Sequence, residues 1–397
     1  MLPSGIDIDV KGYIEGRAVA TGRTRSWEDG GLGKLRFGSA NGGSRRAMVR
    51  LEGAAVARVM LGFDWTGIIH VTANQEQHVP VDIVEAFIQY KPAPRGAVGF
   101  SAKAGAFFPP ISMENSSLAW TSPYTITSSA INSWVGEELK AVGGEAKLTY
   151  RTEDIDFEVS GAAFVANDPA GTQLAWRGWS LHDREAGLFD RLPLAPIRIT
   201  RPGARLFKQA PTEEPFHEID GRVGYYAHVS ADHFDYGTLT ALWYDNNADD
   251  KVLRAGQWAW RTRFWSAGYK VTLPGDVDVL AQVMRGGTSV VTVPTVPNGV
   301  VNTDFWATYL LVSKEFDRHR VSLRLDRFGT NDEDTSLDNN NEHGTAVTAA
   351  YVLRPAPRQR LTIEALYVKS YRPERAALGL PIRIGETQFQ ASYRFFF

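Results

Sequence analysis

The chain contains no cysteine. That removes disulfide frameworks and thiolate metal sites together. It also lacks any apolar run near the roughly 20 residues that a membrane-spanning helix needs. A helical membrane protein is therefore excluded. The mean hydropathy of −0.24 leaves other membrane architectures open, because strands apolar on one face average out as mildly polar. An excess of one charge is missing as well: 43 basic residues meet 45 acidic ones. No nucleic-acid footprint results. Catalytic signatures are equally absent. The eight histidines form no His-Glu-x-x-His pair, and there is no Gly-x-Ser-x-Gly, P-loop or dinucleotide fingerprint. No enzyme activity is expected, and His70 and His228 read as polar wall residues.

Aromatic residues are plentiful, at 11% of 397 residues, with 11 Trp. The dominant signal is period-two alternation in segments of about ten residues. At the C-terminus, Phe389, Ala391, Tyr393, Phe395 and Phe397 share one face, and Gln388, Gln390, Ser392 and Arg394 the other. In water this terminal strand would be an exposed edge open to aggregation. In lipid its apolar face is solvated, and its edge can close against the first strand. Further upstream, Val49, Leu51, Ala55 and Val59 alternate with Arg50, Glu52 and Arg58. Val321, Leu323 and Leu325 alternate with Ser322, Arg324 and Asp326.

Sixteen strands are predicted near 6–22, 46–62, 66–74, 80–91, 97–107, 140–151, 154–165, 220–231, 235–245, 257–273, 276–286, 302–314, 319–329, 344–354, 360–370 and 386–397. Odd-to-even connections are mostly long, at 23–45, 108–139, 166–219, 246–256, 287–301, 330–343 and 371–385. Even-to-odd connections are tight. Short turns at one end and long loops at the other describe a transmembrane antiparallel β-barrel with periplasmic turns and extracellular loops. The expected organisation is one barrel domain over 1–397. The start at Met1-Leu2-Pro3-Ser4-Gly5 is read as a mature chain whose export signal has been removed.

Alternation assigns Arg50, Lys103, Lys147, Arg151, Arg222, Arg261, Arg263 and Arg324 to the inward, lumen-lining face. Glu15, Glu52, Asp82, Glu85, Glu145, Asp278, Asp326 and Glu364 join them, so the inward charges are mixed. Placing Arg261 and Arg263 on the same face as Lys270 requires a bulge near Ser266. Trp65, Tyr90, Phe107, Trp243, Tyr244, Trp258, Trp260 and Tyr367 lie near strand ends, where aromatic belts meet the membrane interface. Segment 166–219 interleaves Arg177, Arg184, Arg191, Arg198, Arg201 and Arg205 with Asp183, Glu185, Asp190, Glu213 and Glu214. It reads equally as a basic vestibule or a self-neutralising lid. The acidic loop with Asp332, Asp334 and Asp338 has oxygen ligands enough for Ca²⁺, although its spacing is not that of an EF-hand.

The stretch Phe107-Phe108-Pro109-Pro110-Ile111-Ser112-Met113-Glu114-Asn115, followed by Glu137-Glu138 before a strand, resembles porins related to the phosphate-selective porin group. The resemblance implies a Gram-negative outer-membrane location and a homotrimer. It also implies that the third long loop, 108–139, folds into the channel and narrows it. Glu114, Trp120, Tyr124, Trp134, Glu137 and Glu138 are that loop's candidates. Tyr393-x-Phe395-x-Phe397 resembles the terminal signal that the barrel assembly machinery recognises. Expected partners are therefore outer-membrane lipid, lipopolysaccharide, that machinery and small hydrophilic solutes. The expected function is passive diffusion, with selectivity set by pore width and charge. Alternatives are a specific channel for an anionic or aromatic solute, a secreted all-β enzyme or binding protein, and a plugged structural barrel.

Overall fold

The computed structural model describes residues 7–39, 43, 45–291 and 300–397. The expectations for Met1–Gly5, and for residues 292–299 of the 287–301 connection, lie outside them.

Sixteen strands close into one antiparallel barrel. They are β1 (Asp7–Thr21), β2 (Arg46–Met60), β3 (Trp65–Asn74), β4 (Val81–Tyr90), β5 (Val98–Phe107), β6 (Ala141–Arg151), β7 (Ile155–Val165) and β8 (Gly224–His233). They continue with β9 (Gly237–Asp245), β10 (Arg261–Leu273), β11 (Val277–Val291), β12 (Val300–Phe316), β13 (His319–Asp332), β14 (Glu342–Leu353), β15 (Gln359–Tyr371) and β16 (Arg383–Phe396). Each strand pairs with its sequence neighbours, and β1 pairs with β16 from Tyr13↔Phe396 to Thr21↔Gln388. Closure leaves no edge, which is the condition for strands to cross lipid. Tight turns join even to odd strands, the shortest being Asp317-Arg318 between β12 and β13. Asp317 takes φ +54° there, a left-handed conformation that Asp tolerates better than most residues.

Alternation explains the outward face. Val49, Leu51, Ile69, Leu148, Val159, Leu323, Ile363, Phe389 and Tyr393 are all exposed, with nothing polar beside them to account for it. Such a face is stable only in an apolar solvent. Among the belt candidates, Trp65, Trp243 and Tyr367 are exposed on this face, and Tyr90 lies 4.8 Å from Trp65. Phe107, Tyr244, Trp258 and Trp260 are buried instead. They sit inside, because the long segments fold back over them.

The expected bulge near Ser266 does not exist. β10 runs in unbroken register against β11 from Arg261 to Leu273. Ser266 is buried on the inward face with Thr262 and Phe264. Arg261 and Arg263 therefore point outward, contrary to the inward assignment. They lie at the long-loop end of the strand, where an outward charge leaves the hydrocarbon band. The irregularity falls between β3 and β4, where His70 pairs with Glu85 but Val71 with Ile83. Val84 is the extra residue. Its insertion is why Asp82 and Glu85, three apart, both face inward.

The interior is divided. Over β7–β14 the inward face carries Phe164, Tyr226, Tyr244, Phe264, Met284, Phe305, Tyr309 and Phe328, all buried in one core. Helix α1 (Ala130–Glu138) packs on this core through Trp134, 5.3 Å from the Phe264 ring and 5.2 Å from the Phe305 ring. The opposite wall, β1–β4 with β15 and β16, is mostly polar, although Val19, Val84, Leu366 and Val368 are buried on it. The inward face is thus not uniformly charged: an aromatic core covers much of it, and paired charges line the wall of β1, β2 and β16.

Candidate functional site

Two chain segments fill the barrel. The first is 108–139. Arg324, fully buried on β13, holds it by four contacts: Glu114 at 3.1 Å, Thr125 Oγ1 at 3.2 Å, the Thr127 carbonyl at 2.7 Å and the Ser128 carbonyl at 2.9 Å. Glu364 accepts from the Ile126 amide at 2.6 Å, and Asp326 from the Ala130 amide at 3.1 Å. Wall carboxylates thus serve the loop's backbone donors, which water cannot reach. Ser129 caps α1, accepting from the Asn132 amide at 3.2 Å. The helix is buried on every side. No amphipathic period therefore marks it in the sequence.

The second segment is 166–219. It contains the short helix α2 (Thr172–Trp176) and lies against the first. Arg177 bonds Glu137, and His182 stands 3.2 Å from the same carboxylate. Burial alone would raise the Glu137 carboxyl, but Arg177 and His182 overcome it and hold it at about 2. Glu138 accepts from the Trp134 indole and, at 3.0 Å, from the Gln173 amide. Arg184 pairs with Glu28 at 2.5 Å and Asp190 at 2.6 Å. Arg191 pairs with Glu214 and Arg198 with Glu374. The buried charges of 166–219 are paired with one another and with neighbouring segments, as a self-neutralising lid requires, while Arg201 and Lys208 are exposed and in no ion pair among the described residues.

Between the two segments and the wall of β1–β3, β15 and β16 lies a small polar cavity of about 40 Å³. Its lining includes Arg36, Glu52, Asn115, Trp120, Thr125, Asp183, Arg360 and Arg394. Trp120 is stacked on Phe108, ring centres 4.4 Å apart. Tyr124 is buried near Arg320, 4.9 Å from its guanidinium. A guanidinium series climbs this wall. Arg394 bonds Glu15; Arg17 reaches Glu15 at 2.9 Å and Asp183 at 2.5 Å; Arg36 reaches Asp183 at 2.9 Å and Glu52 at 2.6 Å. Burial would raise the Asp183 carboxyl, but Arg17 and Arg36 hold it well below the usual range. A second cavity of about 250 Å³, toward the long-loop end of β2, shares Arg36 with the first.

Arg360 differs from the rest of the series. It is buried and lines the cavity, and its register partner on β16 is Arg394. Like charges directly opposite repel. Glu15 compensates Arg394, whereas Arg360 donates to the Ser122 carbonyl at 3.2 Å. Among the described residues no carboxylate forms an ion pair with Arg360.

The other lumen-lining candidates scatter. Lys103 pairs with Glu145 at 3.4 Å and covers the Phe107 ring. Lys147 pairs with Glu158 at 2.7 Å, and together with Arg151 lines a separate cavity at the short-turn end. Arg151 is largely exposed there. Arg222 is not on a strand wall: it precedes β8 and pairs with Asp249 at 2.7 Å among the long loops. Arg50 binds Glu76 at 2.5 Å beside the second cavity. None of these lines the cavity with Trp120. Arg36 and Arg360 escaped the sequence reading. Arg36 lies in an aperiodic connection. Arg360 shares the inward alternation of Thr362 and Glu364 and was legible.

Asp332 and Asp334 already accept backbone amides of Asp334, Asn340, Asn302 and Ser336, while Asp338 accepts the Ser336 hydroxyl. Tyr393 and Phe395 are exposed on the outward face, and the Phe397 amide donates to the Gly12 carbonyl at 3.0 Å.

No protein-family model matches the sequence, and no curated protein matches it. Solved structures match along nearly the whole chain. OmpF of Salmonella typhi, in complex with daunomycin, gives a TM-score of 0.54 at 12% identity, covering 99% of this chain and 98% of that one. An anion-selective porin from Comamonas acidovorans gives 0.52 at 9% identity, covering 99% and 100%. The trimer form of OmpT, an outer membrane protein of Vibrio cholerae, gives 0.52 at 9% identity, covering 99% and 100%. At these identities the likeness is one of fold: this chain has the sixteen-stranded architecture of outer-membrane porins.

Proposed function

We propose that the chain is an outer-membrane porin passing small hydrophilic solutes by diffusion through a narrow, charged route. The observation that carries this reading is the divided interior. One half is sealed by α1 and the aromatic core. The other keeps a polar cavity between paired charges, inside a barrel whose outer face suits lipid. A purely structural barrel has no need of buried guanidinium groups along one wall. Homotrimer formation is part of the same reading. Among the described residues of β1–β8, the outward positions carry no Asp, Glu, Lys or Arg and are rich in Gly and Ala, among them Gly16, Ala18, Ala55, Ala57 and Ala104. Another barrel can approach such a surface closely. Tyr393, Phe395 and Phe397 are proposed as the assembly signal.

A second reading is favoured by Arg360. An uncompensated guanidinium facing the route, beside Arg394, suits a channel with a preference for anionic solutes. Single-channel conductance in a planar bilayer, with reversal potentials in a salt gradient, separates these readings. Discrete conductance steps are expected, with anions more permeant than cations. A silent, detergent-purified barrel would sink the channel reading, and cation preference would sink the anionic one.

A further inference from the structure

Another cavity, of about 470 Å³, opens at the long-loop end. It shares no lining residue with the two cavities that meet at Arg36. The connections that follow β1, β7 and β15 meet around it. Its floor is apolar. Leu32 is fully buried there, in one cluster with Trp176, Leu194 and Ile197. Leu378 packs on that cluster from the turn Pro373–Leu378. Gly379, at φ +71°, then reverses the chain and brings Leu380 to the same cavity. Pro196 and Ile384 complete the apolar lining. Ile384 shares the inward face of β16 with Glu386 and Gln388, so the cavity lies inside the rim. Lipid does not explain an apolar wall in that place, and Leu380 is 38% exposed.

The charges around this floor are of one sign. Arg23 and Arg25 are exposed at the rim, Arg375 is buried behind it, and no acid is among the described residues of the lining. Glu28, the acid closest in sequence, is taken by Arg36 and Arg184. Among the described residues neither Arg23 nor Arg25 forms an ion pair. Arg375 spends its donors on neutral acceptors: the Leu32 carbonyl at 3.0 Å, the Ser370 hydroxyl at 2.9 Å and the Ser370 carbonyl at 3.4 Å. The neighbouring acids are engaged elsewhere. Glu386 accepts the Lys34 amide at 2.9 Å, and Glu342 pairs with Lys34 and Arg372.

We propose that this cavity binds a small organic carboxylate with an apolar body, the body against Leu32, Leu378 and Leu380 and the carboxylate against Arg23 and Arg25. Guanidinium groups take carboxylates through paired hydrogen bonds. Ligand sites are concave and mostly apolar with few polar anchors, and they commonly span about 300–1,000 Å³. The position is off the polar route, so the ligand is held at the mouth and is not the diffusing solute. The inference goes beyond the channel reading and does not need conduction.

The test uses the full-length chain in lipid nanodiscs, with empty nanodiscs as the blank, because a detergent tail would compete for an apolar cavity. The probe is 2-naphthoate. Its uncharged analogue is 2-naphthalenemethanol, and acetate stands for the headgroup alone. Calorimetry and saturation-transfer NMR read the binding. Saturable binding of naphthoate is expected, about ten-fold or more tighter than that of the alcohol or of acetate. R23Q/R25Q should weaken naphthoate to the level of the alcohol. L380D, which puts an acid on the exposed apolar wall, should also abolish the preference. K208Q removes an exposed cation of another loop and should bind as the wild type. Equal binding of acid and alcohol, no saturable binding above the blank, or unchanged binding by R23Q/R25Q would overturn the proposal. An equal loss in K208Q would mark general surface attraction and overturn the site. Binding that needs prior removal of a co-purified lipid would assign the cavity to a lipid tail and overturn the carboxylate. If L380D fails to fold, the arginine variant still decides. Conductance without naphthoate binding would sink this inference alone, and naphthoate binding to a silent barrel would sink the channel reading alone.

Discussion

Arg360 is the residue whose surroundings constrain the solute most. Among the described residues no carboxylate forms an ion pair with it, and the low-dielectric wall amplifies its field beyond what water would allow. R360Q should therefore move the reversal potential toward cation preference while leaving conductance close to the wild-type value. An unchanged reversal potential would remove Arg360 from the route. Asp168 offers a pH test at the other end of the plug. It accepts the Ile219 amide at 2.6 Å and the Asp220 amide at 3.2 Å. Burial pushes its carboxyl up to about 7 against those two amides, with nearby Asp220 and Glu218 adding to the rise. The sign follows from linkage: a raised carboxyl binds its proton more tightly in the docked state. Its contribution is full below the ordinary value of 3.8 and is lost as pH rises through about 7. Proteolytic cutting of segment 166–219 should accelerate over that window. D168N keeps an acceptor oxygen and cannot ionise, so its cutting rate should not follow pH there.

At the scale of the element, the two inward segments differ in how they are held. Segment 108–139 hangs from wall side chains, chiefly Arg324 and Glu364. Deleting its tip, Ser116 to Ser129, takes away Trp120, Ser122 and Thr125 from the cavity wall and should raise conductance. Unchanged conductance would shift the narrowest point to segment 166–219. That segment is instead wedged by close backbone approach. Gly178 has φ +74°, and a Cβ there would lie 1.4 Å from Glu342 Oε2. G178A must therefore displace the Glu342–Arg372 pair, which closes at 3.1 Å, or lift the segment. Backbone strain of this kind costs on the order of 1–3 kcal/mol. The expected result is larger or noisier conductance with the barrel intact. A wild-type trace would mean that this part of the plug bounds no route.

For the whole molecule, closure is decided where β16 meets β1. The Phe397 ring lies over Gly12, where a Cβ would come within 2.3 Å of it, so the terminal residue both ends the strand and covers a glycine of the first one. Deleting Phe397 should reduce the yield of assembled, heat-modifiable barrel. Even a charge placed near the interface costs about 0–1 kcal/mol by depth alone. A loss of yield far beyond that would point to failed recognition by the assembly machinery. Normal surface yield would contradict the signal reading.

The strand count, the outward face and the alternation of short and long connections were legible because they depend on neighbours in sequence. Period two is a local property, and lipid on one side enforces it along runs such as Val321, Leu323 and Leu325. The inward face was less legible, because what covers it comes from far along the chain. Phe264 and Phe305 face inward and stay dry through α1, which is more than a hundred residues away from them in sequence. Arg261 and Arg263 were misassigned because charge was taken to mean lumen. Height in the membrane sets the cost of an outward charge, and height is a property of the closed barrel. Asp82 and Glu85 share a face through one extra residue, Val84, whose presence as a bulge no alternation announces. The cavity itself belongs wholly to tertiary structure. Arg36, Asp183 and Arg360 meet there from three distant segments: Arg36 and Asp183 pair with each other, whereas Arg360 is left with the Ser122 carbonyl.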